Sequence, residues 1–180
     1  LGVIGLGRIG LEVARRAKAF GMTVVAYDPY ANRALAERNG VALGTLETVL
    51  ADADFITLHV PLTDQTRRMI GREQIDRMKD GVRIINCARG GLIDEDALAE
   101  AVRSGKVSGA ALDVFASEPV SPDNPLVQLL ENVVTPHLGA STEEAQVAVA
   151  VDVAEQVVDV LQGRPPRSPV NLPYLAPEAY

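Results

Sequence analysis

The sequence predicts an α/β protein built on a doubly wound parallel sheet. Short apolar runs rich in β-branched residues alternate with segments of helical periodicity, a pattern typical of βαβ units. A glycine-rich turn follows the first run, and the second run ends in an aspartate. At 180 residues, the chain lies within the size range of one domain that buries a sizeable core.

Six strands are expected from the apolar runs. They cover residues 2–4, 23–27, 55–59, 82–86, 109–114 and 133–135. Apolar residues also recur at helical spacing at Ile9, Val13, Ala17 and Phe20, and again at Leu98, Ala101 and Val102. Asp94 is the expected N-cap of this second helix.

The last helix is the most clearly delimited in the sequence. Ser141 and Glu144 suggest a capping box at its start, and the helix is expected to run to about Gln162 with Gly163 as its stop. Five of the 11 prolines fall in the final eighteen residues. We therefore expect one domain over 1–163, and a Pro-rich linker or arm over 164–180.

Composition excludes several classes of partner. The formal charge of −7 and the pI near 4.8 disfavour binding to nucleic acid or to an anionic membrane surface, and no apolar run is long enough for a membrane-spanning helix. A single cysteine, Cys87, indicates a reducing compartment, so we expect a cytoplasmic protein. No metal site is expected. The chain begins at Leu1, inside a core strand, and we expect it to be part of a longer protein.

Gly5, Gly7 and Gly10 form a G-x-G-x-x-G motif between the first strand and the first helix. Glycines at these positions permit a tight turn, a close approach of the backbone to a pyrophosphate, and close packing of helix on strand. The helix N-terminus supplies free N–H groups and partial positive charge to the phosphates. In this context the motif predicts dinucleotide binding, although a plain glycine-rich turn is the simpler alternative.

Asp28 lies 18 residues after Gly10, at the end of the second strand. A carboxylate there accepts hydrogen bonds from an adenosine ribose and repels the extra phosphate of NADP, so NAD is the predicted cofactor. Two alternatives stay open. Asp28 and Pro29 could simply begin a turn, and Arg33 could reach a 2′-phosphate.

Arg89, Glu118 and His137 each follow a predicted strand, at the edge where open α/β sheets bind ligands. Together they offer an anion clamp and an acid/base pair. The structural alternatives are that Arg89 anchors a loop, that Glu118 precedes a turn at Pro119, and that His137 is a helix-entry histidine bonded to the backbone.

Several ordered motifs together resemble the D-isomer-specific 2-hydroxyacid dehydrogenases. They are the segments 2–10, 58–62, 86–91, 136–142 and 170–173. The resemblance implies a Rossmann-like NAD-binding domain that is inserted into a substrate-binding domain, which this chain lacks. It also implies a homodimer or higher homo-oligomer formed through the nucleotide-binding domain.

The resemblance implies a role for each site residue. His137 would move the hydroxyl proton, Glu118 would orient its ring and favour its charged form, and Arg89 would hold the substrate carboxylate. The cofactor would contact Gly5, Gly7, Arg8, Ile9, Gly10, Asp28, Val60, Pro61, Cys87, Ala88, Arg89, Asp113, His137, Gly139 and Ala140. Of these, Arg8 and Ile9 would lie at the pyrophosphate, Val60 and Pro61 at the adenine and Asp113 at the nicotinamide amide. Cys87 is expected to be a small buried residue, and a structural role is expected for His59.

The segment 136–146 resembles the family members that oxidise 3-phospho-D-glycerate to 3-phosphooxypyruvate, the first step of serine biosynthesis. The expected partner is therefore a small 2-hydroxy or 2-oxo acid, phosphorylated in this reading. One alternative is a hydroxypyruvate or glyoxylate reductase. Another is a non-enzymatic protein that senses NAD(H), like the corepressors that share this fold. Without a substrate domain, the fragment alone is expected to be poorly active.

Overall fold

The computed structural model describes residues 1–169, which include two compact units. The first is Leu1–His137 and the second begins at Leu138. Residues 170–180, with the 170–173 motif and most of the expected arm, lie outside the described residues. Among residues 1–169, no helix is both long and apolar enough to cross a bilayer.

A parallel sheet of seven strands forms the centre of the first unit. The strands are β1 Gly2–Ile4, β2 Val25–Tyr27, β3 Ala42–Leu43, β4 Phe55–Leu58, β5 Val82–Asn86, β6 Val107–Leu112 and β7 Val133–Val134. Their order in the sheet is β3-β2-β1-β4-β5-β6-β7, and every neighbouring pair is parallel. The strand order reverses between β1 and β4, the point at which open α/β sheets bind ligands. The predicted doubly wound parallel sheet is confirmed.

Six helices connect these strands, and a seventh lies in the second unit. They are α1 Arg8–Ala19, α2 Arg33–Arg38, α3 Leu46–Asp52, α4 Arg72–Asp76, α5 Glu95–Arg103, α6 Pro125–Gln128 and α7 Glu143–Leu161. The predicted cap of α5 is confirmed, because Asp94 Oδ1 accepts a hydrogen bond of 3.2 Å from the N–H of Ala97.

The core lies on both faces of the sheet. Successive side chains of a strand point to opposite faces, and in β1 the buried Val3 and Ile4 belong to different apolar clusters. The cluster of Val3 includes Leu11 of α1, whereas that of Ile4 includes Leu50 of α3 and Leu98 of α5. Helices therefore cover both faces, and the functional loops are left at the strand ends.

Several predicted boundaries were wrong. The sheet has seven strands rather than six, because the two-residue edge strand β3, which pairs only with β2 and contains no β-branched residue, was not predicted. The expected strand 109–114 begins two residues earlier, at Val107, and its ladder with β5 ends at Leu112. The expected strands 23–27, 55–59 and 133–135 are shorter by one or two residues, whereas β1 and β5 have the predicted bounds.

The predicted capping box of α7 was also wrong. The N-cap is Thr142, whose Oγ1 accepts a hydrogen bond of 3.2 Å from the N–H of Ala145. The helix thus starts one residue later than expected, and Ala145 occupies the third helical position, where a box requires Glu or Gln. Its end is as predicted, since Gln162 is the C-cap and Gly163 has a left-handed φ of 79°.

Candidate active site

The glycine-rich turn lies between β1 and α1, with each glycine in a different environment. A Cβ built on Gly10 would lie 2.0 Å from the carbonyl oxygen of Gly5, so this close approach requires glycine. A Cβ on Gly7 would have no atom within 4 Å, and Gly7 caps α1 without a side-chain hydrogen bond. Open space therefore adjoins unbonded N–H groups at a helix N-terminus, an arrangement that fits a phosphate.

The end of β4 packs directly against this turn. A Cβ on Gly5 would lie 2.7 Å from the carbonyl of His59 and 2.8 Å from Cγ1 of Val60, and Gly5 has a φ of 96°. Arg8 and Ile9, the first two residues of α1, are exposed beside it. Val60 thus packs against the turn, and Pro61 follows it as an exposed residue whose carbonyl accepts a hydrogen bond from Thr66.

Asp28 follows β2 and is bonded to two main-chain amides. Its Oδ2 accepts a hydrogen bond of 2.8 Å from the N–H of Leu6, inside the glycine turn. Its Oδ1 accepts one of 2.8 Å from the N–H of Tyr30, and its carbonyl accepts one from Ala31. Asp28 therefore both initiates a turn and fixes the glycine-rich turn through its bond to Leu6. Each carboxylate oxygen has a further lone pair for a ribose hydroxyl.

The loop after β5 is organised by a buried amide that sequence reasoning missed. Asn86 is 2 % exposed, and its side chain donates to the carbonyl of Arg89 at 3.0 Å and accepts from the N–H of Ala88 at 3.1 Å. The Arg89 side chain is exposed and donates one of its five N–H groups to the carbonyl of Ala88. The other N–H groups can bind an anion. A polar residue that ends an apolar strand was the available signal for Asn86.

Cys87 is exposed, so the expectation of a buried cysteine was wrong. It follows β5 where the chain leaves the sheet. Partial burial of the thiol, and then the charge of Asp113, raise the pKa of Cys87. Asp113 itself is buried after β6, and its Oδ1 accepts a hydrogen bond of 2.5 Å from Thr135 Oγ1. Thr135 is a second residue that sequence reasoning missed.

Glu118 and His137 form an ion-pair geometry across two loops. Glu118 Oε2 lies 2.7 Å from His137 Nδ1, although 19 residues separate them in the chain. Glu118 Oε1 accepts a second hydrogen bond, of 3.0 Å, from the N–H of Phe115. The bond to His137, followed by that from Phe115, lowers the pKa of the Glu118 carboxyl. A carboxylate on Nδ1 fixes the ring and leaves Nε2 for proton transfer.

A cleft of about 550 Å³ adjoins this pair. Its lining comprises Asp113, Phe115, Glu118, Pro119, Val120, Pro136 and His137. Arg89 is not among the lining residues, but its neighbour Gly90 touches the same loop, since a Cβ on Gly90 would lie 1.8 Å from the carbonyl oxygen of Phe115. The structure thus brings Glu118, His137 and Asp113 to one cleft and places the loop of Arg89 against its wall.

Three other predicted residues, His59, Gly139 and Ala140, are not among the residues that line this cleft. His59 is half-buried with Nε2 3.0 Å from Thr57 Oγ1, and burial lowers its pKa. Gly139 and Ala140 belong to the second unit, where the N–H of Ser141 donates to the carbonyl of Leu138 and Ala140 has a φ of 63°.

Comparisons with known proteins show what the chain is similar to. Residues 1–139 match the family model described as D-isomer specific 2-hydroxyacid dehydrogenase, NAD binding domain. The chain is 56% identical over 179 residues to a D-3-phosphoglycerate dehydrogenase of Methanocaldococcus jannaschii and 52% identical over 179 residues to one of Archaeoglobus fulgidus. These alignments cover 99% of this chain and 34% of each relative, so the chain spans about a third of the length of these relatives.

Solved structures show the same likeness. The TT0316 protein from Thermus thermophilus superposes with a TM-score of 0.85 at 41% identity, over 94% of this chain and 52% of that one. A D-lactate dehydrogenase from Aquifex aeolicus, complexed with NAD and lactic acid, superposes with a TM-score of 0.81 at 37% identity, over 90% of this chain and 53% of that one. The chain belongs to the D-isomer-specific 2-hydroxyacid dehydrogenase family, whose NAD-binding domain it contains.

Proposed function

We propose that this chain is the cofactor-binding and proton-transferring part of an NAD-dependent dehydrogenase that oxidises 3-phospho-D-glycerate to 3-phosphooxypyruvate. The observation that carries the catalytic part is the 2.7 Å contact between Glu118 Oε2 and His137 Nδ1 at the wall of a cleft. The names of the relatives support the substrate, because several of them, at 52 to 56% identity, are D-3-phosphoglycerate dehydrogenases.

NAD fits the first half of the site. The pyrophosphate would lie over the open position at Gly7, and the adenosine ribose would bind the carboxylate of Asp28. When bound, NAD supplies one chemistry, the acceptance of a hydride from the carbon that bears the substrate hydroxyl. The protein supplies the geometry and the proton path.

His137 is the proposed acid/base group. In oxidation its Nε2 takes the proton of the substrate hydroxyl, and in reduction it returns that proton to the oxygen. Glu118 stabilises the charged imidazolium that forms, since its carboxylate is already bonded to Nδ1. Arg89 would grip the substrate carboxylate, with Asn86 holding the loop that presents it.

The chain matches 34% of the length of such a relative, which leaves room for the substrate-binding domain that the family resemblance implies. We therefore propose that residues 1–163 form the nucleotide-binding domain of a longer cytoplasmic enzyme that is a homodimer or a higher homo-oligomer. Alone, this chain should bind NAD but turn over poorly. The full-length protein is then the right material for every kinetic test.

The decisive experiment is NADH oxidation by the full-length protein with 3-phosphooxypyruvate, beside hydroxypyruvate, glyoxylate and pyruvate at equal concentration. A strong preference in kcat/KM for the phosphorylated acid supports the proposal. Preference for another acid would favour the second candidate, a dehydrogenase of a nonphosphorylated 2-hydroxy acid, which the likeness to a D-lactate dehydrogenase at 37% identity supports. No turnover with any of the four would overturn both.

A further inference from the structure

The peptide group between Phe115 and Ala116 is held from both sides. Its carbonyl packs on Gly90, where an added Cβ would lie 1.8 Å from the oxygen. Its N–H donates to Glu95 Oε1 at 2.6 Å. This peptide belongs to the loop that carries Glu118, and Glu95 is the first residue of α5.

The second oxygen of Glu95 is also used. Glu95 Oε2 accepts a hydrogen bond of 2.8 Å from Asn124 Nδ2, and Asn124 in turn caps α6 by accepting from the N–H of Leu126 at 2.9 Å. One half-buried carboxylate therefore joins the start of α5 to both ends of the loop between β6 and α6. These bonds span 21 and 29 residues of the chain.

Glu118 is hydrogen-bonded to the same stretch of backbone. The N–H of Phe115, one residue before the amide held by Glu95, donates to Glu118 Oε1 at 3.0 Å. Since Glu118 Oε2 contacts His137 Nδ1, displacement of the 115–116 backbone would displace the histidine ring. A 1 Å misplacement of a reacting group can cost about 10²-fold in rate.

We propose that Glu95 is a positioning residue, which fixes the 115–124 loop so that Glu118 holds His137 in the orientation for proton transfer. This inference rests on the proposed function. Glu95 would act through two other residues and touch neither substrate nor cofactor.

A simpler role for Glu95 is to stabilise α5 by its charge. Acidic residues in the first turn of a helix interact favourably with its dipole, and Asp96 occupies the same turn. The two roles differ in one respect: a dipole effect depends on charge, whereas positioning depends on which atoms accept and which donate. Asp96 is exposed, which makes Asp96→Asn the matched control for charge.

The test compares three variants of the full-length protein: Glu95→Gln, Asp96→Asn and the double variant Glu95→Gln with Asn124→Asp. In Glu95→Gln, the amide nitrogen must face either the N–H of Ala116 or Nδ2 of Asn124. Both of these groups are hydrogen-bond donors, so one of the two hydrogen bonds is lost. In the double variant, the introduced glutamine donates to the introduced aspartate, and its carbonyl oxygen still accepts from Ala116. The introduced aspartate also remains a good N-cap for α6.

We expect Glu95→Gln to lower kcat about tenfold while KM for NAD changes little, because the glycine turn is untouched. The double variant should recover most of kcat, and Asp96→Asn should behave as the wild type. Equal losses in Glu95→Gln and Asp96→Asn, or a double variant no better than the single one, would overturn the inference.

A second readout does not depend on turnover. The hydrogen-bonded Nδ1 proton of His137, assigned by its loss in His137→Asn, should shift or broaden by NMR in Glu95→Gln and return in the double variant. An unchanged signal in Glu95→Gln would overturn the inference even if kcat fell. Turnover of 3-phosphooxypyruvate by the wild type is measured first. An inactive wild type would mean that the proposed function fails, whereas an active wild type with an unchanged Nδ1 signal in Glu95→Gln would mean that only this inference fails.

Discussion

Asp28 and Leu6 are joined by a hydrogen bond of 2.8 Å between a carboxylate oxygen and a main-chain amide, across 22 residues of sequence. The group proposed to select NAD therefore also fixes the glycine turn that would receive the pyrophosphate. Any substitution at Asp28 changes both the ribose contact and the shape of the phosphate site.

Asp28→Asn should weaken NAD binding about tenfold or more, because hydrogen bonds to charged groups contribute about 1.5–3 kcal/mol and an amide can no longer accept on both sides. The preference for NAD over NADP should narrow, since the repulsive charge is lost. Isothermal titration of the variant and the wild type with NAD and with NADP measures the two affinities. Asp52→Asn, an exposed carboxylate of α3, is the control. Tighter binding of NADP than NAD by the wild type would contradict the assignment.

Two glycines of the same turn should give opposite results when each is replaced by alanine. Gly10→Ala places a Cβ 2.0 Å from the carbonyl oxygen of Gly5, and should lower the free energy of unfolding by about 1–3 kcal/mol or more. Gly7→Ala meets no atom within 4 Å at a φ of −75°, so it should cost much less stability than Gly10→Ala, through the poorer N-cap alone, while it blocks the phosphate position.

Urea unfolding and NAD titration of the two glycine variants separate the effects. Gly7→Ala should have an unfolding midpoint much closer to the wild type than that of Gly10→Ala, and should lose NAD affinity. If Gly7→Ala bound NAD normally, the pyrophosphate would not lie over Gly7.

The two histidines offer a matched pair for testing catalysis. His137→Asn should lower kcat by about 10² or more, because general acid–base catalysis typically contributes about 10² to 10⁴. His59→Gln should keep kcat near the wild-type value, since that side chain contacts Thr57 rather than Glu118. Steady-state kinetics of the full-length protein in both directions measure the difference. Near-normal turnover by His137→Asn would remove it from the mechanism.

Cys87 should react slowly with thiol reagents despite its exposure. The thiolate is the reactive form, and the raised pKa of Cys87 leaves less thiolate at neutral pH than an unperturbed cysteine has. The alkylation rate with iodoacetamide should therefore stay low at neutral pH and climb only in alkaline solution. Saturating NAD should slow it further if Cys87 lies along the cofactor. A rate at neutral pH above that of a free thiol would contradict this.

Sequence reasoning succeeded where the signal was local and strong. Strands β1 and β5 are apolar runs inside the sheet, and their bounds were predicted correctly. Strand β3 was missed because its two residues, Ala42 and Leu43, are not β-branched, whereas the equally short edge strand β7 consists of two valines and was predicted. The cap of α7 was placed one residue early because Ser141 and Thr142 are adjacent hydroxyl residues, and the choice between them depends on backbone angles.

The residues of the candidate site also fall into those that local sequence signals predict and those that they do not. Glu118 and His137 were predicted because residue type and position at a strand end suffice to suggest an acid/base pair, and the structure adds their contact. The roles of Asn86, Glu95 and Thr135 depend on hydrogen bonds to specific atoms. For Glu95 and Thr135 those partners lie 21 or more residues away, and no local pattern specifies such pairings.

The position of β1 between β2 and β4 also makes the glycine turn a non-local structure. The turn is complete only when His59 packs against Gly5, although the two residues lie far apart in the chain. Contacts of large sequence separation form slowly, because a long loop must close before they are made. The dinucleotide cradle therefore depends on the pairing of β1 with β4, and a peptide that contained only β1 and α1 would lack its final shape.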